Sequence, residues 1–221
     1  MLRKYIILCL FAAPLSMRAQ TDISWEVAAQ TTNSSGDYTP LWLNANKHGL
    51  SSLDKNNGYL LAGVEKNMTG DSIRKWSYGF GASMAAAYGF TSPIVVQEAY
   101  VEGRWLKGVL TLGSKEWAME LKNDTLSSGS QTFGINARPV PQLRIALPDY
   151  WNFAGGWLGI KGHISYGMTT DDGWQKDFTE KKSKFTENAL YHSKAGYLRI
   201  GNTSKSRLSV ELGLEMASLF G

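Results

Sequence analysis

From Trp76 to Phe90 the chain alternates between apolar and small residues without a break. Trp76, Tyr78, Phe80, Ala82, Met84, Ala86, Tyr88 and Phe90 hold the even positions. Ser77, Gly79, Gly81, Ser83, Ala85, Ala87 and Gly89 hold the odd ones. Successive side chains of a strand point to opposite faces, so this segment has one continuous apolar face and one small or polar face. Its aromatic residues gather at both ends with smaller apolar residues between them. That is the distribution of a strand crossing a bilayer, where Trp and Tyr rings settle at the two headgroup levels. A sandwich strand can alternate as well, but it is usually shorter than this.

Other segments repeat the pattern. Leu208, Val210, Leu212, Leu214 and Met216 alternate with Arg207, Ser209, Glu211, Gly213 and Glu215. Leu158, Ile160, Gly162, Ile164, Tyr166 and Met168 alternate with a set holding Lys161, His163 and Ser165, which Trp157 also joins. Weaker strands are expected over Ile23–Thr31, Tyr59–Lys66, Val95–Trp105, Val109–Ser114 and Gly196–Asn202. In Val95–Trp105 the charged residues Glu98, Glu102 and Arg104 share one face, while Gln97 falls on the other. Asp37–Ser52, Lys115–Thr132 and Asp171–Ser193 lack the alternation and are expected to be loops or plugs, with a short helix over Phe185–His192. The fold class that follows is an all-β, antiparallel transmembrane β-barrel with about nine or ten strands present, either closed on itself or part of a larger barrel. A charged face on each strand would then point into the lumen, because basic residues on the lipid side cost roughly 2–4 kcal/mol each near the midplane.

The start of the chain changes the picture of where such a barrel would lie. Arg3 and Lys4 precede an apolar run from Tyr5 to Leu15, and Ala19 offers a cleavage point before Gln20. Residues 1–19 read as an export signal, too short in its apolar part to span a membrane as a helix, and 20–221 as the barrel region. Localisation in a cell outer membrane is the expectation. Cys9, the only cysteine, leaves with the signal, so thiolate metal sites and disulfides are excluded from the mature chain. The formal charge of +4 is also misleading, because Arg3, Lys4 and Arg18 depart and the 23 basic residues fall to 20 against 19 acidic ones. A near-neutral product carries no electrostatic footprint for nucleic acid. High glycine and aromatic content fits a barrel with a polar lumen, and fits a secreted β-sandwich that binds carbohydrate equally well.

Two irregular stretches resemble a known family. Asp37-Tyr38-Thr39-Pro40-Leu41-Trp42 through Ser51, followed by Asn57-Gly58-Tyr59-Leu60, is similar to the N-terminal region of the Wzi capsule-assembly family in its Bacteroides-like branch. The run Gly134–Ile145, which holds Asn136-Ala137-Arg138-Pro139, resembles a signature of that family, Val96–Val101 resembles one of its strand motifs, and Leu112–Trp117 resembles its Gly-containing segment before an aromatic. The resemblance implies an outer-membrane lectin that anchors capsular polysaccharide to the cell surface. Its partners would be that polysaccharide and outer-membrane lipid, and it implies no enzyme activity; no cofactor and no metal are expected either. Members of that family are longer than this chain, which implies an N-terminal portion of the full barrel.

Polysaccharide binding needs aromatic faces for sugar rings beside polar or cationic groups for hydroxyls and carboxylates. Trp42, Asn44, Asn46, Lys47 and His48 supply that mixture within one short stretch. Equally, Trp42 and Leu43 could anchor a loop inside the lumen while the rest face water. Arg138 and Arg144 flank two prolines, and a guanidinium can grip a carboxylate with two parallel hydrogen bonds. Either could instead pair with Glu98 or Glu102 across the lumen. Trp117 completes the candidate set, and Tyr150–Trp151 is a further aromatic pair. Catalysis has little support: the histidines are scattered, no nucleophile elbow is present, and His163 with Ser165 are only same-face neighbours. Asp171-Asp172 could touch calcium but lacks EF-hand spacing. A pore is the competing function, with Lys161, Arg199, Glu211 and Glu215 lining a channel.

Overall fold

A computed structural model of the chain describes residues 23–68, 75–123, 126–127, 129–170, 180, 187–202 and 204–220. The export signal and Asp171-Asp172 lie outside the described residues. Nine strands form one antiparallel sheet in which every strand pairs with its sequence neighbours. They are β1 (Ile23–Tyr38), β2 (Asp54–Lys66), β3 (Trp76–Tyr88), β4 (Ile94–Trp105), β5 (Gly108–Ser114), β6 (Gln142–Phe153), β7 (Leu158–Met168), β8 (Leu190–Ile200) and β9 (Val210–Phe220). Between β1 and β2 lies a single helical turn, α1 (Leu41–Asn44), closed in front by Pro40. Among the described residues β1 and β9 share no ladder, so each leaves one edge open.

The alternation read from the sequence sorts onto the two faces, and the sense of the sorting is the reverse of a water-soluble sheet. On β3 the apolar set is the exposed one, with Trp76 at 69% and Tyr78 at 64%, while Gly79, Gly81 and Ala85 are buried. Val27, Leu60, Val101, Leu110, Leu112, Ile145, Ile164, Leu212 and Leu214 join the same exposed face. The covered face carries Gln97, Glu102, Thr111, Ser165 and Ser193, all buried. Lys66 and Lys194 are exceptions on the apolar face: Lys66 pairs with Ile23 and Phe80 at the strand end, and Lys194 lies between Ile164 and Met216 in the pairing register. A long lysine stem can run along apolar surface and carry its ammonium toward a polar boundary.

Aromatic residues rim the apolar face at both strand ends. At one end Trp25, Trp76, Trp105, Trp151 and Trp157 are exposed, with Trp76 and Trp105 stacked 5.8 Å apart. At the other end stand Tyr88, Tyr166 and Phe220. Connections differ between the ends. The tryptophan end has 67–75, 106–107, 154–157 and 201–209, and the tyrosine end has 39–53, 89–93, 115–141 and 169–189.

Four expectations need correction. β6 was not among the expected strands, because Pro148 interrupts its pattern; the register shifts there, between Leu147 and Trp151. Asp37 and Tyr38 extend β1 rather than opening a loop. Leu190, Tyr191 and His192 are the first residues of β8, not the end of a helix over Phe185–His192, since their backbone groups are used in pairing with β7. Phe185 itself is outside the described residues. Trp157 precedes β7, which removes the anomaly it made in that strand's alternation.

Gln97 is explained by a bulge. Met84 pairs with Val96 and the adjacent Ser83 pairs with Glu98, so Gln97 is the extra residue of β4. A bulge lets two consecutive residues face the same way. Ile94 and Val96 therefore stay on the apolar face, and Gln97, Glu98, Tyr100 and Glu102 all turn to the covered one.

Candidate functional site

Two connections from the tyrosine end fold back over the polar face of the sheet and cover it. Segment 115–141 crosses from β4 to β9. Near its start the Glu116 amide donates to Glu98 Oε1 at 2.8 Å, and farther on Ser130 Oγ donates to Glu215 Oε2 at 3.0 Å. Segment 39–53 lies beside it. The His48 amide donates to Ile135 O at 2.7 Å, the Asn46 amide to Asn136 Oδ1 at 2.7 Å, and Asn46 Nδ2 to Ser127 O at 3.2 Å. Gln97, on its bulge, ties both segments to the sheet by donating to His48 O at 2.9 Å and to Glu116 Oε1 at 2.6 Å. A small apolar core of Leu50, Leu61, Ala85 and Val95 sits under this junction.

These contacts decide the roles of the first candidate group. Asn46 and His48 hold the two segments together, with His48 Nε2 also 3.7 Å from Glu116 Oε2. Asn46 (φ 57°) and His48 (φ 48°) adopt left-handed backbone to do so. Asn44 is half-buried with its amide nitrogen unpartnered. Trp42, at 77% exposure, and Lys47 are exposed and take no part in these contacts. Arg138 packs its backbone against Gly49, and its Nε is buried without a hydrogen-bond partner.

The second candidate group does converge. Trp117, on segment 115–141, lies under Arg144 of β6, with the guanidinium carbon 3.7 Å from the ring centroid. Lys115 Nζ stands 5.2 Å from the same ring. Trp117 is thus a support for cations rather than an open face for a sugar. Around this pair is a cleft of about 220 Å³ whose walls include Glu120, Phe133, Gln142, His163, Tyr191 and Tyr197. Phe133 is stacked obliquely on His163 at 5.2 Å.

Nearly every other charge around this cleft is matched. Glu102 bonds Lys115 Nζ at 2.7 Å, Glu120 pairs with Lys161, and Glu215 accepts from Tyr197 Oη at 2.7 Å. Arg199 donates to Asn152 Oδ1 at 2.8 Å and lies over the Tyr150 ring. Arg144 was expected to pair with Glu98 or Glu102, and it does not: those carboxylates are taken by the Glu116 amide and by Lys115. Sequence reasoning found Trp117 and Arg144 but not Phe133, Gln142, Tyr191 and Tyr197. Gln142 lies on β6 and Tyr191 and Tyr197 on β8, where face parity was the only available signal and register through β7 joins them, while Phe133 lies on segment 115–141, which has no such period.

His163 Nε2 is 3.3 Å from Ser193 Oγ, which is 2.6 Å from Ser165 Oγ. Among the described residues no carboxylate bonds the other nitrogen of His163, so the chain of hydroxyls lacks the orienting acid of a nucleophilic triad. Among the described residues no three His, Cys, Asp or Glu side chains converge as a metal site requires. No described helix is long and apolar enough to cross a membrane, which leaves strands as the question. The fold and site thus define a single meandering antiparallel sheet, apolar on its bare face, with its polar face covered by its own loops. No family model, curated protein or solved structure matches the chain.

Proposed function

We propose that the sheet is wall of an outer-membrane β-barrel and that the barrel anchors capsular polysaccharide at the cell surface. The observation carrying the membrane part is the reversed polarity of the sheet: large apolar residues bare on one face, charge and hydroxyls covered on the other. In water each such exposed side chain forgoes about 1.5–3 kcal/mol of burial, and a continuous face of them aggregates. In hydrocarbon the same face is satisfied, and the aromatic rims meet the headgroup layers. A soluble β-sandwich is disfavoured by the same observation, since among the described residues one sheet exists and nothing packs on its apolar side. Spanning lipid requires that the open edges of β1 and β9 be paired, with each other or with further strands of the barrel. In this reading the short turns of the tryptophan end face the periplasm and the long connections of the tyrosine end face outward.

The lectin part rests on the resemblance of segments 37–60 and 134–145 and on the cleft beside Arg144. Segments 39–53 and 115–141 are tied across the polar face. Lys161 and Glu215, charges that would line a pore, are paired with Glu120 and Ser130 of segment 115–141. These pairings support a protein that holds a ligand over one that conducts. Cells lacking the protein are expected to make capsule but release it into the medium, measured as the ratio of cell-bound to soluble polysaccharide. An unchanged ratio removes the anchoring role. A large steady conductance of the purified protein in planar bilayers favours the pore instead.

A further inference from the structure

We propose that the cleft beside Trp117 is a subsite for the carboxylate of an acidic sugar, with Arg144 as its anion-binding residue. The inference deepens the lectin reading and rests on it. Arg144 is the cation lining the cleft that is held in no direct ion pair, although the charges of Glu120 and Glu102 reach it from a distance. It forms no ion pair and no hydrogen bond among the described residues, and it lies over the face of Trp117. Stacking on an indole uses the flat face of a guanidinium and leaves its N–H fork free in the plane, the geometry that grips a carboxylate bidentately. The nearest acids are already engaged, Glu120 by Lys161 and Glu102 by Lys115. A cation without a direct partner in a largely covered site is costly, and a bound anion reduces that cost.

The remaining walls suit a sugar. Tyr191 carries a hydroxyl with no hydrogen bond among the described residues, and Gln142 has its side-chain oxygen buried and unpartnered. Phe133 supplies an apolar edge for ring C–H groups. At about 220 Å³ the cleft is smaller than the roughly 300–1,000 Å³ of sites for drug-sized ligands, so it takes one residue or a chain end. A uronic acid meets each requirement: one carboxylate, several hydroxyls and a compact ring.

The test uses the full chain in detergent micelles or nanodiscs, with a short oligogalacturonate and its methyl ester as probes, followed by calorimetry. The ester keeps size and hydroxyls and removes only the charge. The free acid is expected to bind, and esterification or Arg144→Gln to weaken it on the order of tenfold to a hundredfold, as loss of a charged hydrogen bond does. Lys107→Gln, an exposed charge in the β4–β5 turn, is expected to leave affinity unchanged. Arg144→Lys, which retains charge but not the fork, is expected to recover only part of the loss. Unchanged strand content by circular dichroism separates lost binding from lost folding. Equal binding of acid and ester, or full binding by Arg144→Gln, overturns the subsite and leaves the lectin reading standing. If neither probe binds while capsule is retained by the protein in cells, the subsite alone falls. If capsule retention also fails, both fall. A sulfated dextran that binds as tightly as the uronate replaces the carboxylate assignment with a general anion site.

Discussion

Gly49 is a residue at which the two covering segments meet backbone to backbone. Its φ is +73°, and a Cβ there would lie 2.5 Å from the Arg138 backbone nitrogen. Backbone cannot rotate away as a side chain can, so strain and clash add. Gly49→Ala is expected to cost about 1–3 kcal/mol, seen as an earlier midpoint in urea unfolding of the lipid-reconstituted protein. An unchanged midpoint would mean that the segments do not pack as described. The same logic explains the small residues on the covered face of β3. A Cβ on Gly81 would stand 2.7 Å from Tyr100 Cζ, so the glycine leaves room for a ring from the neighbouring strand. In the sequence these residues show only as a small face. Which ring fills the space is decided by the pairing of Gly81 with Tyr100. Arg144 follows the same rule: its chemistry was legible, but its stacking on Trp117 depends on a long connection folding back.

The bulge in β4 makes an element-scale prediction. Removing Gln97 brings Val96 next to Glu98 and restores strict alternation, with Ile94 and Val96 still on the apolar face. Deletion of Gln97 is therefore expected to keep strand content while freeing the loops it ties, because His48 O and Glu116 lose their shared donor. Limited proteolysis should then cut within 115–141 faster than in the unaltered protein, with circular dichroism unchanged. A loss of strand signal would show that the bulge is needed by the sheet itself. Strand existence was readable wherever alternation ran unbroken, as in β3, β7 and β9. It failed at β6, where Pro148 and the shifted register break the period. It failed again at the start of β8, where Leu190–Ser193 pair with β7 although the preceding sequence is strongly charged. Pairing to a neighbour supplies backbone hydrogen bonds that local pattern does not encode.

At the scale of the whole molecule the expected partner of the bare face is lipid. Trp25, Trp76, Trp105 and Trp151 stand exposed at one rim, so phospholipids brominated near the headgroup should quench tryptophan fluorescence more than those brominated at the chain ends. Equal, weak quenching by both would place the rim in water and sink the membrane reading. The alternation by itself determined that strands dominate and that each has one apolar and one polar face, because side-chain direction in a strand repeats every two residues. It could not say which face is covered. Only the tertiary structure decided that the polar face is the covered one, since the cover comes from segments 39–53 and 115–141, remote in sequence and without a period of their own. For the same reason the order of nine neighbouring strands, the bulge that reconciles Gln97 with Glu98, and the cleft shared by Trp117, Arg144 and Tyr197 belong to the fold. Each depends on register between strands, which no single strand contains.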